Sequence, residues 1–136
     1  MNPAEKTEIL IKELNERYGE DKTDKLTKYI DMILDKNQHI NLTAVRDRDE
    51  ALQKHIADSL SCSLMEEYEN AEMIVDIGTG AGFPGVPLAI VSPEKQFTLV
   101  DSLNKRLRII DELCGEIGVG NVTTLHSRAE DMGRAE

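Results

Sequence analysis

Residues 75–85 constrain the fold more than any other segment of the chain. A short β-rich stretch runs straight into three glycines at alternate positions, Gly78, Gly80 and Gly82, and a helical pattern follows. Glycines spaced in this way let the backbone turn sharply and approach a ligand closely, because no Cβ stands in the way. The segment predicts a strand, a ligand-binding turn and a helix in succession; a purely structural tight turn is the alternative.

The same alternation of strand and helix continues to the end of the chain. Strands are predicted over 73–77, 96–101 and 122–126, with helices over 84–91 and 104–117 between them. Strands that alternate with helices pair in parallel through right-handed crossovers. Residues 71–136 are therefore predicted to form an α/β domain with three parallel strands, the first half of a doubly wound, Rossmann-like sheet.

The first seventy residues carry a helical period instead. Apolar residues three and four positions apart predict amphipathic helices over 3–18, from Thr23 or Asp24 through Leu34, and from Asp47 or Asp49 onward. We expect residues 37–43 to be too polar and short for a core element, and residues 66–70 to be a polar joint after a helical subdomain, 1–70. The expected inward-facing residues are Ile9, Leu10, Leu14, Tyr18, Leu26, Tyr29, Ile30, Ile33, Leu34, Leu52, His55 or Ile56, Ser59, Leu60 and Leu64.

Composition excludes several classes of protein. The 136 residues are 40% apolar and 31% charged, which suits a globular domain, and no stretch approaches the roughly 20 apolar residues of a membrane span. The amino terminus begins a helix that contains acidic residues rather than a signal peptide, so we expect a cytoplasmic protein with no membrane partner. Cys62 and Cys114 belong to no CxxC or Cys/His cluster, which predicts reduced thiols and no metal site.

The charge balance limits nucleic-acid binding. The formal net charge is −10, from 16 Lys+Arg against 26 Asp+Glu, and no region of the chain is net basic. Proteins that grip nucleic acid through many phosphates present a basic face. A nucleic-acid role would therefore need a local patch, sequence beyond this chain, or another molecule.

The spacing of the glycine turn indicates which nucleotide it would bind. A dinucleotide fold places its third glycine where this chain has Phe83, and no Gly-Lys-Ser/Thr follows to hold a triphosphate. Asp76 precedes the turn by two residues. S-adenosylmethionine carries a sulfonium and an ammonium that a carboxylate there would serve, so the residues favour this cofactor over nicotinamide nucleotides and ATP.

Two further strand ends support a nucleoside site. Asp101 ends the second strand, where an acid accepts hydrogen bonds from ribose hydroxyls, although capping the next helix is the alternative role, for which Ser102 competes. Residues 126–131 follow the third strand, where backbone and the Glu130 carboxylate can meet an adenine edge or can form a solvated acidic face. The basic residues of the following helix, Lys105, Arg106 and Arg108, are expected to be solvated surface.

Five stretches together closely resemble one bacterial family, the small-subunit ribosomal RNA guanine-N7 methyltransferases known as RsmG or glucose-inhibited division protein B. They are residues 41–46, 54–60, 76–85, 100–106 and 126–130, of which the Asn-Leu-Thr and His-x-x-Asp-Ser-Leu motifs are the most specific. The resemblance implies a class I methyltransferase fold that binds S-adenosyl-L-methionine. It also implies methyl transfer to N7 of a guanosine in 16S ribosomal RNA, with that RNA or the ribosomal subunit as partner.

The resemblance also implies roles for individual residues. It places Gly78 and Phe83 at the methionine end of the cofactor, Asp101 and Ser102 near the ribose, and Ala129 and Glu130 at the adenine. Asp76, Gly80 and Gly82 are further cofactor-binding candidates from the glycine turn itself. Those expected to contact RNA are Asn41, Thr43, Arg46, His55 and Asp58. No catalytic residue is expected, because guanine N7 has a free lone pair and needs no base to remove a proton.

The extent of the chain leaves other functions open. Members of this family continue for several more strands and a basic tail, so the chain is expected to be truncated at Glu136, with its own activity uncertain. A non-catalytic S-adenosylmethionine-binding module is one alternative, and a methyltransferase for a small molecule or protein is another. Strand 73–77 would then keep one edge unpaired, which predicts that self-association, strand exchange or the N-terminal helices cover it, with dimerisation as the favoured outcome.

Overall fold

The computed structural model describes residues 1–128. The helical part consists of α1 (Pro3–Tyr18), α2 (Glu20–Lys36), α3 (Arg48–Ala51), a π-helical turn (Leu52–Ile56), α4 (Ala57–Ser61), a 3-10 turn (Cys62–Leu64) and α5 (Glu66–Asn70). The α/β part consists of β1 (Met73–Ile77), α6 (Gly85–Val91), β2 (Gln96–Asp101), α7 (Asn104–Ile117) and β3 (Val122–His126). This is the α/β architecture predicted from the sequence, with the helical part first.

Gly19 divides the first two helices. Its φ is +91°, which an L side chain rarely adopts, and its N–H donates to Asn15 O at 3.0 Å at the end of α1. Helix α2 then begins at Glu20, so the prediction that Thr23 or Asp24 caps this helix was wrong. Thr23 lies inside α2, where its Oγ1 donates back to Gly19 O at 3.0 Å. Ile9 was also placed wrongly, because its side chain is 43% exposed.

The third predicted helix is interrupted by the π turn. Asp47 caps its start, as one of the two predicted candidates, by accepting Glu50 N–H at 2.9 Å. Ile56 is buried and His55 is half-buried, so both residues face the protein interior to different degrees. Leu64 is 71% exposed, contrary to the prediction, because regular α-helix ends at Ser61 and the 3-10 turn carries the chain outward.

The three strands pair in parallel in the order β1-β2-β3, as predicted. The register aligns Asp76 with Leu99 and Leu99 with Thr124 on one face of the sheet. Both long crossover helices lie on that face: Gly85 at the start of α6 donates to Asp76, and Asp111 of α7 accepts from Thr124. On the opposite face Val100 is buried, but β1 is largely uncovered within residues 1–128, where Met73 is 75% exposed and Val75 and Ile77 are each 52% exposed.

One hydrophobic core joins the helical part to the α/β part. Leu26, Tyr29 and Ile33 of α2 belong to the same buried cluster as Leu99 of β2 and Ile110 of α7. Burying apolar area of this kind is the main stabilising term in folding. The cluster extends across residue 70, because α6 and α7 both pack against α2. This packing fixes the position of the glycine turn relative to the first helices.

A buried lysine fastens the connection between the two parts. Lys95 Nζ donates to Glu69 O and Ala71 O, and its ammonium lies 5.1 Å from the centre of the Tyr68 ring. Carbonyl acceptors and a ring face together replace the water that a buried cation loses.

The structure also bears on the thiols and on the membrane prediction. Cys62 and Cys114 are both free thiols, as predicted, and burial raises the pKa of the Cys114 thiol to about 12.

Within residues 1–128, no helix combines the length and apolarity needed to cross a bilayer.

Candidate functional site

The glycine turn lies between β1 and α6 and contains three residues with positive φ. These are Gly78 at +73°, Gly80 at +60° and Gly82 at +94°. A Cβ on Gly78 or Gly80 would meet no atom within 4 Å, whereas one on Gly82 would collide with Tyr29 Oη and approach Val86 Cγ2 to 2.9 Å. Gly78 and Gly80 therefore line open space where a ligand can approach the backbone, and Gly82 is required for packing.

Hydrogen bonds to three residues, Val100, Asp101 and Tyr29, hold the turn. Gly78 N–H and Thr79 N–H both donate to Val100 O, at 2.8 and 3.0 Å. Gly80 N–H donates to Asp101 Oδ2 at 2.9 Å, and the buried Tyr29 hydroxyl donates to Ala81 O at 2.7 Å. The backbone of the turn is thus positioned by β2 and by α2, so little ordering would remain to be done when a ligand binds.

Asp76 lies at the end of β1 with its carboxylate directed at the first turn of α6. Its Oδ2 accepts from Thr79 Oγ1 at 2.7 Å and from Gly85 N–H at 3.1 Å. Burial raises the pKa of this carboxyl, as the neighbouring Asp101 carboxylate also does, while the two hydrogen bonds act in the opposite direction. Two carboxylates therefore influence each other across the glycine turn, which makes this site receptive to a cation.

Asp101 is only 4% exposed and bridges two backbone segments. Its Oδ2 accepts from Gly80 N–H, and its Oδ1 accepts from Leu103 N–H at 2.9 Å. No side chain caps α7, whose N-cap residue is Leu103, so neither Asp101 nor Ser102 acts as its N-cap. A carboxylate has about four lone-pair positions, so these two bonds leave Asp101 able to accept from a ligand.

The prediction for Arg106 was wrong. Its Nη1 lies 3.5 Å from Asp101 Oδ1, and its side chain is 31% exposed, so this residue belongs to the crevice rather than to solvated surface. Arg106 lies on the first turn of α7, a few residues after the strand that ends in Asp101, and the path of the intervening residues brings the two side chains together. The guanidinium thus lies beside an almost fully buried carboxylate, with which it forms an ion pair.

The end of β3 lies beside Asp101. Ser127 N–H donates to Asp101 O at 3.1 Å, and His126 Nε2 is 2.9 Å from Ser102 O. The structure thus brings Asp76, Asp101, Ser102 and the glycine turn to one edge of the sheet, where parallel folds bind ligands. The predicted adenine contacts Ala129 and Glu130, like the neighbouring Asp131, lie outside the described residues.

The residues predicted to contact RNA divide into two groups. Asn41, Arg46 and Asp58 are exposed, and Arg46 Nη2 lies 3.4 Å from Asn41 Oδ1. Thr43 and His55 are half-buried and bond to each other, with 2.9 Å between Thr43 Oγ1 and His55 Nε2. The first group faces solvent, and the second lies between that surface and the glycine turn.

Two residues hold this region by hydrogen bonds that were not predicted from the sequence. Asn37 is buried, and its Oδ1 accepts from Leu42 N–H at 2.8 Å and from Thr43 N–H at 3.1 Å, so it orders the polar loop that follows. Tyr29 was predicted as a core residue only, although a buried tyrosine hydroxyl generally needs a partner. That requirement was a usable signal, whereas the sequence held no comparable sign that Asn37 turns inward.

The sequence of this chain, including the segments that form this site, is similar to those of known proteins. Residues 22–136 match the model of the family described as rRNA small subunit methyltransferase G. The chain is similar to the ribosomal RNA small subunit methyltransferase G of Clostridium perfringens strain 13, at 43% identity over 117 residues, which are 86% of this chain and 49% of the relative. It is similar to those of Alkaliphilus oremlandii (42% over 123 residues, 90% and 52%) and Desulforamulus reducens (41% over 123 residues, 90% and 51%). The chain thus spans about half the length of these curated relatives.

Proposed function

The chain belongs to the rRNA small subunit methyltransferase G family, and from this membership we propose that its protein is an S-adenosylmethionine-dependent methyltransferase acting on N7 of a guanosine in small-subunit ribosomal RNA. The substrate is then ribosomal RNA, free or within the subunit. The compartment is the bacterial cytoplasm, where this RNA is found.

The pairing of an open glycine turn with two carboxylates carries the cofactor assignment. Gly78 and Gly80 present backbone to open space, and Asp76 and Asp101 lie on either side of them. Asp101 is paired with Arg106, so among the described residues Asp76 supplies the negative charge without a cationic partner beside the turn, and it would repel a phosphate group and attract a sulfonium or ammonium. The residues present therefore fit S-adenosylmethionine better than a nucleotide phosphate.

Individual residues take distinct roles in this proposal. The hydrogen bonds recorded for Asp76 both end on Oδ2, so its Oδ1 is available for the cationic methionine end of the cofactor, next to Phe83. Asp101 and the adjacent Ser102 take the ribose hydroxyls, with Arg106 placed beside the Asp101 carboxylate. Gly78, Gly80 and Gly82 shape the turn, and Ala129 and Glu130 are assigned to the adenine.

Methyl transfer to guanine N7 requires orientation rather than proton transfer. S-adenosylmethionine, when bound, supplies an electrophilic methyl group. The N7 lone pair is already free, so none of the chain's residues is assigned as a general base. The residues instead hold the two reactants in line and exclude water, a contribution that reaches roughly 7–11 kcal/mol in well-oriented systems.

The exposed group of Asn41, Arg46 and Asp58 is the proposed RNA surface. Arg46 carries the positive charge there, while the nearby Arg48 is engaged by Asp31 at 2.7 Å. A surface with one available arginine neutralises few phosphates, so its contribution to RNA affinity is small and changes little with salt. The role of this surface is to orient RNA rather than to supply most of the binding energy.

Two measurements on the 136-residue chain test the proposal. Calorimetry with S-adenosylhomocysteine tests the cofactor site, and transfer of a tritium-labelled methyl group to small ribosomal subunits that lack the modification tests the reaction. Saturable binding followed by labelled 16S RNA supports the proposal. Binding without transfer would instead indicate a non-catalytic cofactor-binding module, and transfer to free nucleosides or protein would point to another substrate class.

We also propose that this chain self-associates through β1. Within the described residues β1 pairs only with β2, and its outer face exposes Met73, Val75 and Ile77. Unpaired backbone groups beside apolar side chains form a template for another strand, and a second copy of β1 satisfies both at once.

A further inference from the structure

The His55 ring lies flat against the Phe83 ring that follows the glycine turn. The ring centroids are 4.4 Å apart and the planes differ by 2°. On another side, Phe83 meets the edge of Tyr29 at 5.9 Å and 84°, and the Tyr29 hydroxyl donates to Ala81 O. The last part of the glycine turn is therefore held between an aromatic residue of α2 and a histidine of the π turn.

The far side of the His55 ring is bonded to the polar loop 37–43. Thr43 Oγ1 lies 2.9 Å from His55 Nε2 and accepts Val45 N–H at 3.2 Å. The Thr43 hydroxyl still has its own proton and a second lone pair, so it can donate to an unprotonated Nε2 or accept from a protonated one, and the contact holds in either tautomer of His55. The buried Asn37 side chain accepts Thr43 N–H at 3.1 Å and so fixes the position of Thr43.

The π turn is what places His55 in this position. The wider i→i+5 turn lets Leu52 and Ile56 stay in the core while His55 turns away from them towards Phe83. Such turns are costly and occur frequently at functional sites. The ring that this turn presents to Phe83 is therefore a polar one, with a hydrogen-bond partner in Thr43.

We propose that His55 is a positioning residue that couples the RNA-facing loop to the cofactor turn through Thr43 on one side and Phe83 on the other. A displacement of Thr43 displaces the His55 imidazole and, through it, the Phe83 ring that follows the glycine turn. The coupling itself is a property of these contacts; its consequence for methyl transfer rests on the proposed function. Occupancy of either site then alters affinity at the other by the same factor, as linkage requires.

The charged groups near His55 allow its protonation to serve as a probe. Lys54 lies beside it on the π turn, Asp58 follows on α4 and Glu50 precedes on α3. From the neighbouring turn, Phe83 and Pro84 bring no charge, and Cys62 adds a thiol at the margin of the cavity of about 250 Å³ beside the ring. A ring protonated on both nitrogens donates from Nε2 to the Thr43 hydroxyl and carries a positive charge against Phe83, so protonation changes both contacts of His55.

The first test uses amide chemical shifts and needs no ligand. Thr43→Val removes the hydroxyl but keeps the side-chain shape, and Thr43→Ser restores the hydroxyl. We expect Thr43→Val to shift the amide resonances of Gly80, Gly82 and Phe83, and Thr43→Ser to leave them near their parent positions. Unchanged resonances in a folded Thr43→Val protein would overturn the coupling.

A pH titration of the same resonances separates positioning from packing. We expect one titration step at Gly82 and Phe83 in the parent, absent in His55→Gln and retained in His39→Gln, whose histidine is exposed on the same polar loop. Any step that comes from His126 remains in all three proteins. Retention of every step in His55→Gln would contradict the proposal.

The last test adds the cofactor product. We expect Thr43→Val to weaken S-adenosylhomocysteine binding about fivefold or more, with Thr43→Ser near the parent value. If the parent itself binds no S-adenosylhomocysteine, the cofactor assignment falls, and the resonance shifts still decide the coupling. If the parent binds and Thr43→Val binds equally well, the coupling is wrong while the cofactor assignment stands.

Discussion

Gly82 and Gly115 differ in what surrounds them, and this difference yields a direct test of the packed turn. Gly82 has a φ of +94° and faces Tyr29 Oη, whereas Gly115 lies exposed in α7, where an added methyl group would meet no atom within 4 Å. We expect Gly82→Ala to lower the free energy of unfolding by about 2–5 kcal/mol, from left-handed strain and overpacking. Gly115→Ala should be neutral or stabilising by up to about 1 kcal/mol. Urea denaturation of both variants measures this, and equal stabilities would contradict the packing described for the turn.

Asp101 combines two structural bonds, from Gly80 N–H and Leu103 N–H, with the proposed ribose contact, so an isosteric change to asparagine removes one backbone bond together with the charge. Asp101→Asn keeps one acceptor oxygen for a backbone N–H but loses the charge and the second acceptor. We expect S-adenosylhomocysteine binding to weaken by about 1.5–3 kcal/mol, the range for hydrogen bonds to charged groups. Asp111→Asn, on the exposed side of α7, is the control and should bind as the parent does. Equal affinity in the two variants would leave Asp101 with its role in the turn alone.

His55 gives the stability a pH dependence of known sign. Burial lowers the pKa of His55 below 6.5, as Lys54 also does, against smaller opposing effects of Asp58 and Glu50. The unfolded chain then binds the proton more readily, so the stability from neutral His55 is present above pH 6.5 and lost as pH falls through the lowered pKa.

The parent should therefore lose more stability than His55→Gln between about pH 7 and pH 5. The half-buried Asp76 acts in the opposite direction, because its raised pKa means that its protonated form favours the folded state and that this contribution declines as pH rises. Subtracting the His55→Gln curve from the parent curve removes the Asp76 contribution. Parallel denaturation curves over this range would show that His55 titrates as in the unfolded chain.

At the scale of elements, a single asparagine terminates α6. Asn121 Nδ2 lies 3.1 Å from Ala89 O, 3.1 Å from Ser92 O and 2.9 Å from Lys95 O, and the residue is 8% exposed. Carbonyls at a helix end have no partner within the helix, so this amide satisfies groups that are otherwise costly to bury. Asn121→Ala should lower the free energy of unfolding by about 1–3 kcal/mol. Asn70→Ala, at an exposed position, should change it little, and thermal unfolding of the two variants compares them.

Helices and strands with a strong hydrophobic periodicity could be predicted from the sequence, whereas the tertiary contacts around them could not. The strands 73–77 and 122–126 and the helix 104–117 coincide with β1, β3 and α7, because alternation and helical spacing persist across each of them. The start of α2 was misplaced because one glycine overrode the capping signal of Thr23. The π turn has no pattern of its own, and the pairing of Arg106 with Asp101 depends on tertiary placement.

The candidate site was predictable to a similar degree. Glycine spacing and the acids after β1 and β2 mark the crevice in the sequence, because strand ends of a parallel sheet meet at one edge. The stacked contact between His55 and Phe83 joins residues far apart in the chain and could not be read from spacing. The division of the chain at residue 70 stays a prediction, although the core extends across it.

At the scale of the whole molecule, the uncovered face of β1 should govern association. We expect Val75→Lys to shift the sedimentation of concentrated protein towards monomer, because a charge on β1 disfavours pairing with a second β1. Ile9→Lys alters another exposed apolar side chain, on α1 and away from the sheet, and should leave sedimentation as in the parent. Identical concentration dependence in all three proteins would contradict association through β1.

The buried contact between Tyr29 and the glycine turn makes the molecule its own optical reporter. The chain has no tryptophan and three tyrosines, of which Tyr29 is fully buried while Tyr18 and Tyr68 are half-buried. The near-ultraviolet circular dichroism of the folded protein therefore comes largely from a ring whose hydroxyl holds Ala81 and whose edge meets Phe83. A change at the turn becomes visible in unlabelled protein, so ligand occupancy can be followed without attaching a dye to the site it would disturb.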